Sequence, residues 1–216
     1  MNNEVDKTNQ IIDLINEAKN IAIMPSKVAG VDAFAAAVGF YFMLKDENKN
    51  VSIIYQGAVP EEFSGIKDVE ISSNARQREL LISVDYSGTE AAKVNYSTDS
   101  DILHFSISPI DRNFDMARVK TQIKGFDFDL FITIGAQVLD DFGKTYSDLE
   151  GEISRADILN IDNTDRNQRY GNINVIDSYS NSLSVLVLNK SIEWGFKVST
   201  RSAEALLKGI AYRKGI

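Results

Sequence analysis

Ile158-Leu159-Asn160-Ile161-Asp162-Asn163-Thr164-Asp165-Arg166-Asn167-Gln168-Arg169-Tyr170-Gly171 is the stretch on which the reading of this chain turns. A short apolar run gives way at Asp162 to a polar loop. A run of that length bounded by turn residues reads as a buried strand of a parallel sheet. The loop then lies at the strand's carboxyl end, where open α/β sheets bind ligands. It carries Arg166, Asn167 and Arg169. Two arginines there serve either as a phosphate clamp or as solvated loop cations.

Outward from this stretch, strands and helices alternate. Residues 7–19 read as a helix with Ile11, Ile12, Leu14, Ile15 and Ala18 on one face, and 21–24 as a buried strand ended by Pro25. Asp32 stands as the N-cap of a helix over 33–44 that is apolar nearly all round, which implies burial against a sheet. Strands are predicted over 51–55, 130–134, 158–161 and 174–176, and further helices over about 138–148, 181–194 and 200–212. Thr200 stands as the N-cap of the last helix. The rhythm predicts an α/β fold, a mostly parallel sheet flanked by helices. It breaks over about 69–109, where 80–84, 92–96 and 102–107 read as strands with no helix between them, and Thr98-Asp99-Ser100-Asp101 supplies turn chemistry. This segment is expected to be an antiparallel hairpin or meander inserted at the sheet's edge, within one domain spanning 1–216.

The stretch from Ile161 to Gly171 resembles the signature I-D-H-H-x-x-N-x-x-F-G of the DHH phosphoesterases, with Asp162, Asn167 and Gly171 in place and Asn163 and Thr164 where the two histidines stand. Other segments are similar in the right order. On the motif H-x-x-P-D-G-D-A-x-G-S, Ser26 falls on the histidine, Gly30 on the first aspartate and Asp32 on the second. The strand Leu130 to Ile134 resembles the second motif, with Gly135 where a metal-ligand aspartate ends it. Tyr170 to Asp177 follows F-G-x-I-N-L-V-D, Asn181-Ser182 follows the start of A-S-S-x-x-E with Val185 at the glutamate, and Ala205 to Ile210 follows A-x-x-L-L-x-G-I. That last helix leads in the family to a fourth aspartate, where Tyr212-Arg213 stand here. The resemblance is to the N-terminal domain of nano-RNase and 3′-phosphoadenosine 5′-phosphate phosphatase-like proteins. Their smaller C-terminal substrate-binding domain has no counterpart in this sequence.

The resemblance implies hydrolysis of a phosphoester by water held between two divalent metals, usually manganese. Such a pair needs several carboxylates and imidazoles. Of the matched positions only Asp32 and Asp162 keep a carboxylate, enough for one weak Mg²⁺ or Mn²⁺ site at best. The chain's one histidine, His104, falls in the inserted segment. The expectation is therefore a phosphoesterase-like protein without its reaction and without a required cofactor. Ser26, Asn163, Thr164, Arg166, Asn167 and Arg169 would then contact a nucleotide or phosphate. Two alternatives stand beside it. One is an active metal-dependent enzyme on short oligonucleotides, cyclic dinucleotides or 3′-phosphoadenosine 5′-phosphate, rebuilt with help from Asp165 or Asp177. The other is a structural interaction domain.

A second register would take Asp85, at the end of the apolar run before Val84-Asp85-Tyr86-Ser87, as the second-motif aspartate. It would leave Phe105 to Pro109, with neither Asp nor His, as the third motif, so it is rejected. Asp127, Asp129, Asp140 and Asp141 sit at strand and helix starts, where carboxylates cap amides.

Composition narrows the partners. The 216 residues are 44% hydrophobic, enough for a core, and carry a net charge of -8, which disfavours long nucleic acid. With no cysteine there is no disulfide or thiolate site. The polar first ten residues and the lack of a long apolar run predict a soluble cytoplasmic protein without membrane contact. Expected partners are a second copy, a catalytically complete relative, or a small nucleotide.

Overall fold

Apolar runs build a parallel sheet covered on both faces. The computed structural model describes residues 2–72, 79–88, 93–125 and 127–215. Along the chain come α1 (Asn2–Glu17), β1 (Asn20–Pro25), α2 (Gly30–Asp46), β2 (Asn50–Ile54) and β3 (Ile71–Ser72). Four strands follow: β4 (Glu79–Val84), β5 (Lys93–Asp99), β6 (Ile102–Ser108) and β7 (Val119–Lys124). The remainder is β8 (Leu130–Ile134), α3 (Lys144–Ile153), β9 (Asp157–Asp162), β10 (Ile173–Ile176), α4 (Leu183–Glu193) and α5 (Thr200–Lys214). Contacts divide the chain into two units, Met1–Gln77 with Phe126–Ile216, and Arg78–Gly125.

The first unit holds a six-stranded sheet in the order β10-β9-β8-β1-β2-β3, every pair parallel. It is an α/β fold with helices on both faces of the sheet. Alternation along the strands assigns those faces. Ile21, Ile23, Leu130, Ile132, Ile134, Leu159 and Ile161 join the cluster that holds α1, α2, α4 and α5 side chains. Ala22, Met24, Phe131 and Ile158 join Phe142, Leu149 and Ile153 around α3. Helix α2 packs against β1, β2 and β8 and also against α4 and α5, which explains why it is apolar all round.

Two predicted helix starts shift. Ala29 precedes α2 as its N-cap, and Asp32 lies in the first turn. Gly30, at φ +65°, lets the chain enter the helix three residues early. Ser199, not Thr200, precedes α5. The helix expected over 138–148 splits at Gly143 (φ +54°) into a 3₁₀ turn, Leu139–Phe142, and α3. No described helix is long and apolar enough to cross a membrane.

The second unit contains two antiparallel ribbons, β4 with β7 and β5 with β6. The expected hairpin is β5–β6, turning at Ser100 (φ +53°). Strand β4 pairs with β7, beyond the predicted segment, and each ribbon forms a two-stranded sheet of its own. None of the unit's described side chains is buried.

Candidate functional site

Strand order reverses between β1 and β8, since β2 lies on one side of β1 and β8 on the other. Ligands of open α/β sheets bind at the carboxyl ends flanking such a reversal. Here the backbone joins those ends: Ser26 N–H donates to Ile134 O at 2.8 Å, and Gly135 N–H to Ile161 O at 2.9 Å. Gly135 thus follows a central strand of the sheet. Asp85 directly follows β4 in the second unit, where the Ser87 hydroxyl and amide, with Arg118, hold its carboxyl down to about 2.

Asp32 is buried and serves α4. Its Oδ1 accepts from Ser182 Oγ at 2.9 Å, Ser184 N at 3.0 Å and Ser184 Oγ at 2.7 Å, and its Oδ2 accepts from Leu183 N at 2.8 Å. Ser182 Oγ in turn accepts from Val185 N at 3.4 Å. The first three amides of α4 therefore find acceptors, two of them on a carboxylate supplied by another helix. Arg213 Nε stands 3.9 Å from Asp32 Oδ2. A carboxylate offers about four acceptor sites, and four donors engage this one. Gly209 permits the packing: a Cβ there would lie 2.1 Å from Ser184 Oγ and 3.0 Å from Asp32 Oδ1.

The space in front of Gly135 is filled. A Cβ on it would meet Leu183 Cδ1 at 2.6 Å and Ala29 Cβ at 2.9 Å, and its φ is +74°. Leu183 is a site residue that sequence reasoning missed. In the matched motif A-S-S-x-x-E, with Val185 at the glutamate, Leu183 falls on an unspecified position, so no signal marked it.

Among the described residues Asp162 shares no hydrogen-bond partner with Asp32. It is buried, accepting from Asn163 N at 2.8 Å and from Asn167 Nδ2 at 2.9 Å. Burial pushes its carboxyl above the ordinary value, against the lowering effect of those two bonds.

The loop after β9 is tied down by a buried amide network. Asn167 donates to Ala136 O at 2.8 Å and accepts from Asn160 Nδ2 at 2.8 Å and Arg169 N at 2.7 Å. Asn160 also donates to Asn174 Oδ1 at 3.0 Å, and Asn174 accepts from Gly171 N at 3.0 Å. Tyr170 OH donates to Thr133 Oγ1 at 2.8 Å, and burial pushes its phenol up, so it remains a neutral donor. Asn167, expected among the ligand contacts, is thus a buried loop anchor. Asn160, Asn174 and Tyr170 belong to the same anchor and were not singled out in the sequence.

The other predicted positions divide. Ser26 is fully buried, its Oγ accepting from Val28 N at 3.2 Å. Asn163 donates to Ser180 O at 2.9 Å, and Thr164 Oγ1 accepts from Arg166 N at 3.3 Å. Arg166 and Arg169 are exposed, and their side chains have no hydrogen bond or ion pair among the described residues. Arg169 is held at φ +54°, a conformation that the bond from its amide to Asn167 fixes. Beside the α4 start, a cleft of about 520 Å³ is lined by Tyr179, Ser180, Asn189, Arg213 and Lys214. Asp129 and Asp141 cap amides as expected: Asp129 accepts from Lys19 N and Asn20 N, Asp141 from Gln137 N and Val138 N. Among the described residues no group of three or more His, Cys, Asp or Glu side chains could hold a metal ion.

No family model and no curated protein matches this chain. A solved structure does: an exopolyphosphatase-related protein from Bacteroides fragilis, with a TM-score of 0.63 and 18% identity over 97% of this chain and 50% of the other. At that identity the likeness is one of fold, and the present chain spans about half the length of that neighbour.

Proposed function

We propose that this chain is a phosphoesterase-like protein whose strand-end site binds a phosphate-bearing ligand without metal-dependent hydrolysis. The observation that carries the reading is the engagement of Asp32 as the cap of α4. A two-metal centre needs several carboxylate and imidazole ligands around one bridging group. The residues at these strand ends do not fit one. The acceptor sites of Asp32 are engaged, and Leu183 fills the space at Gly135. What the loop keeps is two exposed arginines on a backbone tied down by hydrogen bonds. Arg166 and Arg169 extend from a backbone fixed by Asn167, an arrangement suited to a nucleotide phosphate.

The test is Mn²⁺ titration calorimetry with a dinucleotide hydrolysis assay alongside, followed by titration of adenosine monophosphate into wild type and Arg166→Ala/Arg169→Ala. The expected results are no metal uptake, no turnover, and nucleotide binding that the double substitution abolishes. Tight uptake of about two equivalents with turnover would establish an active metalloenzyme. Nucleotide binding that survives the double substitution would remove the arginine loop from the reading.

A further inference from the structure

The unit Arg78–Gly125 has strands, but none of its described side chains is buried. Its β5–β6 hairpin is nonetheless sharply two-faced. Register places Val94 opposite Ile107, Tyr96 opposite Phe105 and Thr98 opposite Leu103, all on one face. The other face carries the pairs Lys93 with Ser108, Asn95 with Ser106, Ser97 with His104 and, beside the turn, Asp99 with Ile102, the one large apolar side chain on it. The apolar face lies in water: Tyr96 is 77% exposed, Val94 66%, Phe105 54% and Leu103 52%. Isolated two-stranded hairpins are marginal in water, and three consecutive apolar cross-strand pairs on one exposed face mark a face that something covers.

We infer that a second copy of this chain covers it, the two hairpins packing apolar face to apolar face across a two-fold axis. Three observations favour a copy over other occupants. The face is self-complementary, as a two-fold contact requires: it is apolar, and no acidic or basic side chain lies on it. The unit holds six basic and seven acidic residues, a net of -1 out of the chain's -8, so two copies meet here with little of the repulsion carried by the rest of the chain. The area is also sufficient. At these exposures the four side chains present roughly 450 Å² per copy, so a pair removes about 900 Å² of apolar surface from water. Neighbouring Thr98, Ile107 and backbone bring the total to roughly the 1,200 Å² at which specific interfaces begin. Edge-to-edge pairing would satisfy the open strand edges but leave Tyr96 and Phe105 in water, so the contact is face to face.

The inference is independent of the reading of the strand-end site. It is tested by light scattering and sedimentation on the full chain from about 1 µM to about 300 µM, where an interface at the lower size limit associates. The expected mass rises with concentration from 24.0 kDa to twice that value. Tyr96→Ser/Phe105→Ser is expected to remain at 24.0 kDa throughout, with an unchanged helical circular-dichroism signal, because both residues are exposed. Amide exchange over 93–108 should slow with concentration in the wild type alone. A monomer at every concentration overturns the inference, as does a dimer that persists in the double variant.

Discussion

Replacing Asp32 by asparagine separates a helix cap from a vacant metal ligand, because the two roles predict opposite signs. In the cap, the carboxylate accepts four hydrogen bonds from Ser182, Leu183 and Ser184. An amide of the same shape keeps only one acceptor oxygen. If that oxygen takes the place of Oδ1, the bond from Leu183 N–H is lost and an NH₂ faces a buried N–H. The other orientation loses three bonds and is worse. A hydrogen bond to a charged group contributes about 1.5–3 kcal/mol, and a negative charge at a helix N-terminus about 0.3–1 kcal/mol. The cheaper orientation therefore costs about 2–4 kcal/mol, a lowering of Tm by roughly 5–12 °C in a chain of this size. Were Asp32 instead a buried ligand awaiting a cation, removing its charge would relieve desolvation and stabilise the metal-free protein. Urea unfolding in the presence of a chelator reads the difference. Trp194, the only tryptophan, is buried and forms the C-cap of α4, so its fluorescence reports on the helix that Asp32 caps. An Asp32→Asn midpoint equal to or above that of the wild type would refute the cap.

Gly135→Ala should lower stability by about 2–4 kcal/mol, since its Cβ meets Leu183 and its φ of +74° is unfavourable for an L side chain; an unchanged urea midpoint would mean that Leu183 does not fill that space. Asn167→Ala should cost about 2–4 kcal/mol and speed amide exchange over 163–171, because Ala136 O, Asp162 and the Arg169 amide all lose a partner. Exchange at the wild-type rate there would dismiss the anchor. Asp162 has its carboxyl raised by burial, so the folded chain holds that proton to higher pH than the unfolded chain does. Its contribution is therefore fully present below the unfolded value and lost as pH rises through the folded one. Asp162→Asn should remove this dependence, so the variant's stability relative to wild type should improve between pH 4 and pH 7, and a constant difference would contradict it.

Much of the sheet was legible because burial on both faces leaves unbroken apolar runs. Leu130 to Ile134 and Ile158 to Ile161 announce β8 and β9, and the all-round apolar surface of α2 follows from its packing on strands and helices together. Strand β7 escaped because Val-Lys-Thr-Gln-Ile-Lys alternates without forming a run, and its partner β4 is distant in sequence. The site was legible as a place rather than as a set of roles. The motifs led to the strand ends, but the function of Asp32 depends on Ser182 to Ser184, about 150 positions away. Leu183 reads as an ordinary helix residue until the fold sets it against Gly135. Asn167 looked like a ligand contact because it follows the carboxyl end of a strand, where open α/β sheets bind ligands, and only its burial shows that its hydrogen bonds close inward.

The cap at Asp32 also acts as a ratchet on the history of the chain. A route that placed a second carboxylate at Gly135 would first require Leu183 to shrink, and a smaller residue there would open a cavity beside the amides that Asp32 holds. A route that freed Asp32 would first require another acceptor for Leu183 and Ser184, in a place where Gly209 leaves no room for a side chain. Each first step is costly until the other has been taken. Single substitutions therefore meet a barrier in both directions, and measured pairwise their effects should depart strongly from additivity. The arrangement is easy to keep and hard to leave, whatever selection now acts on the loop beside it.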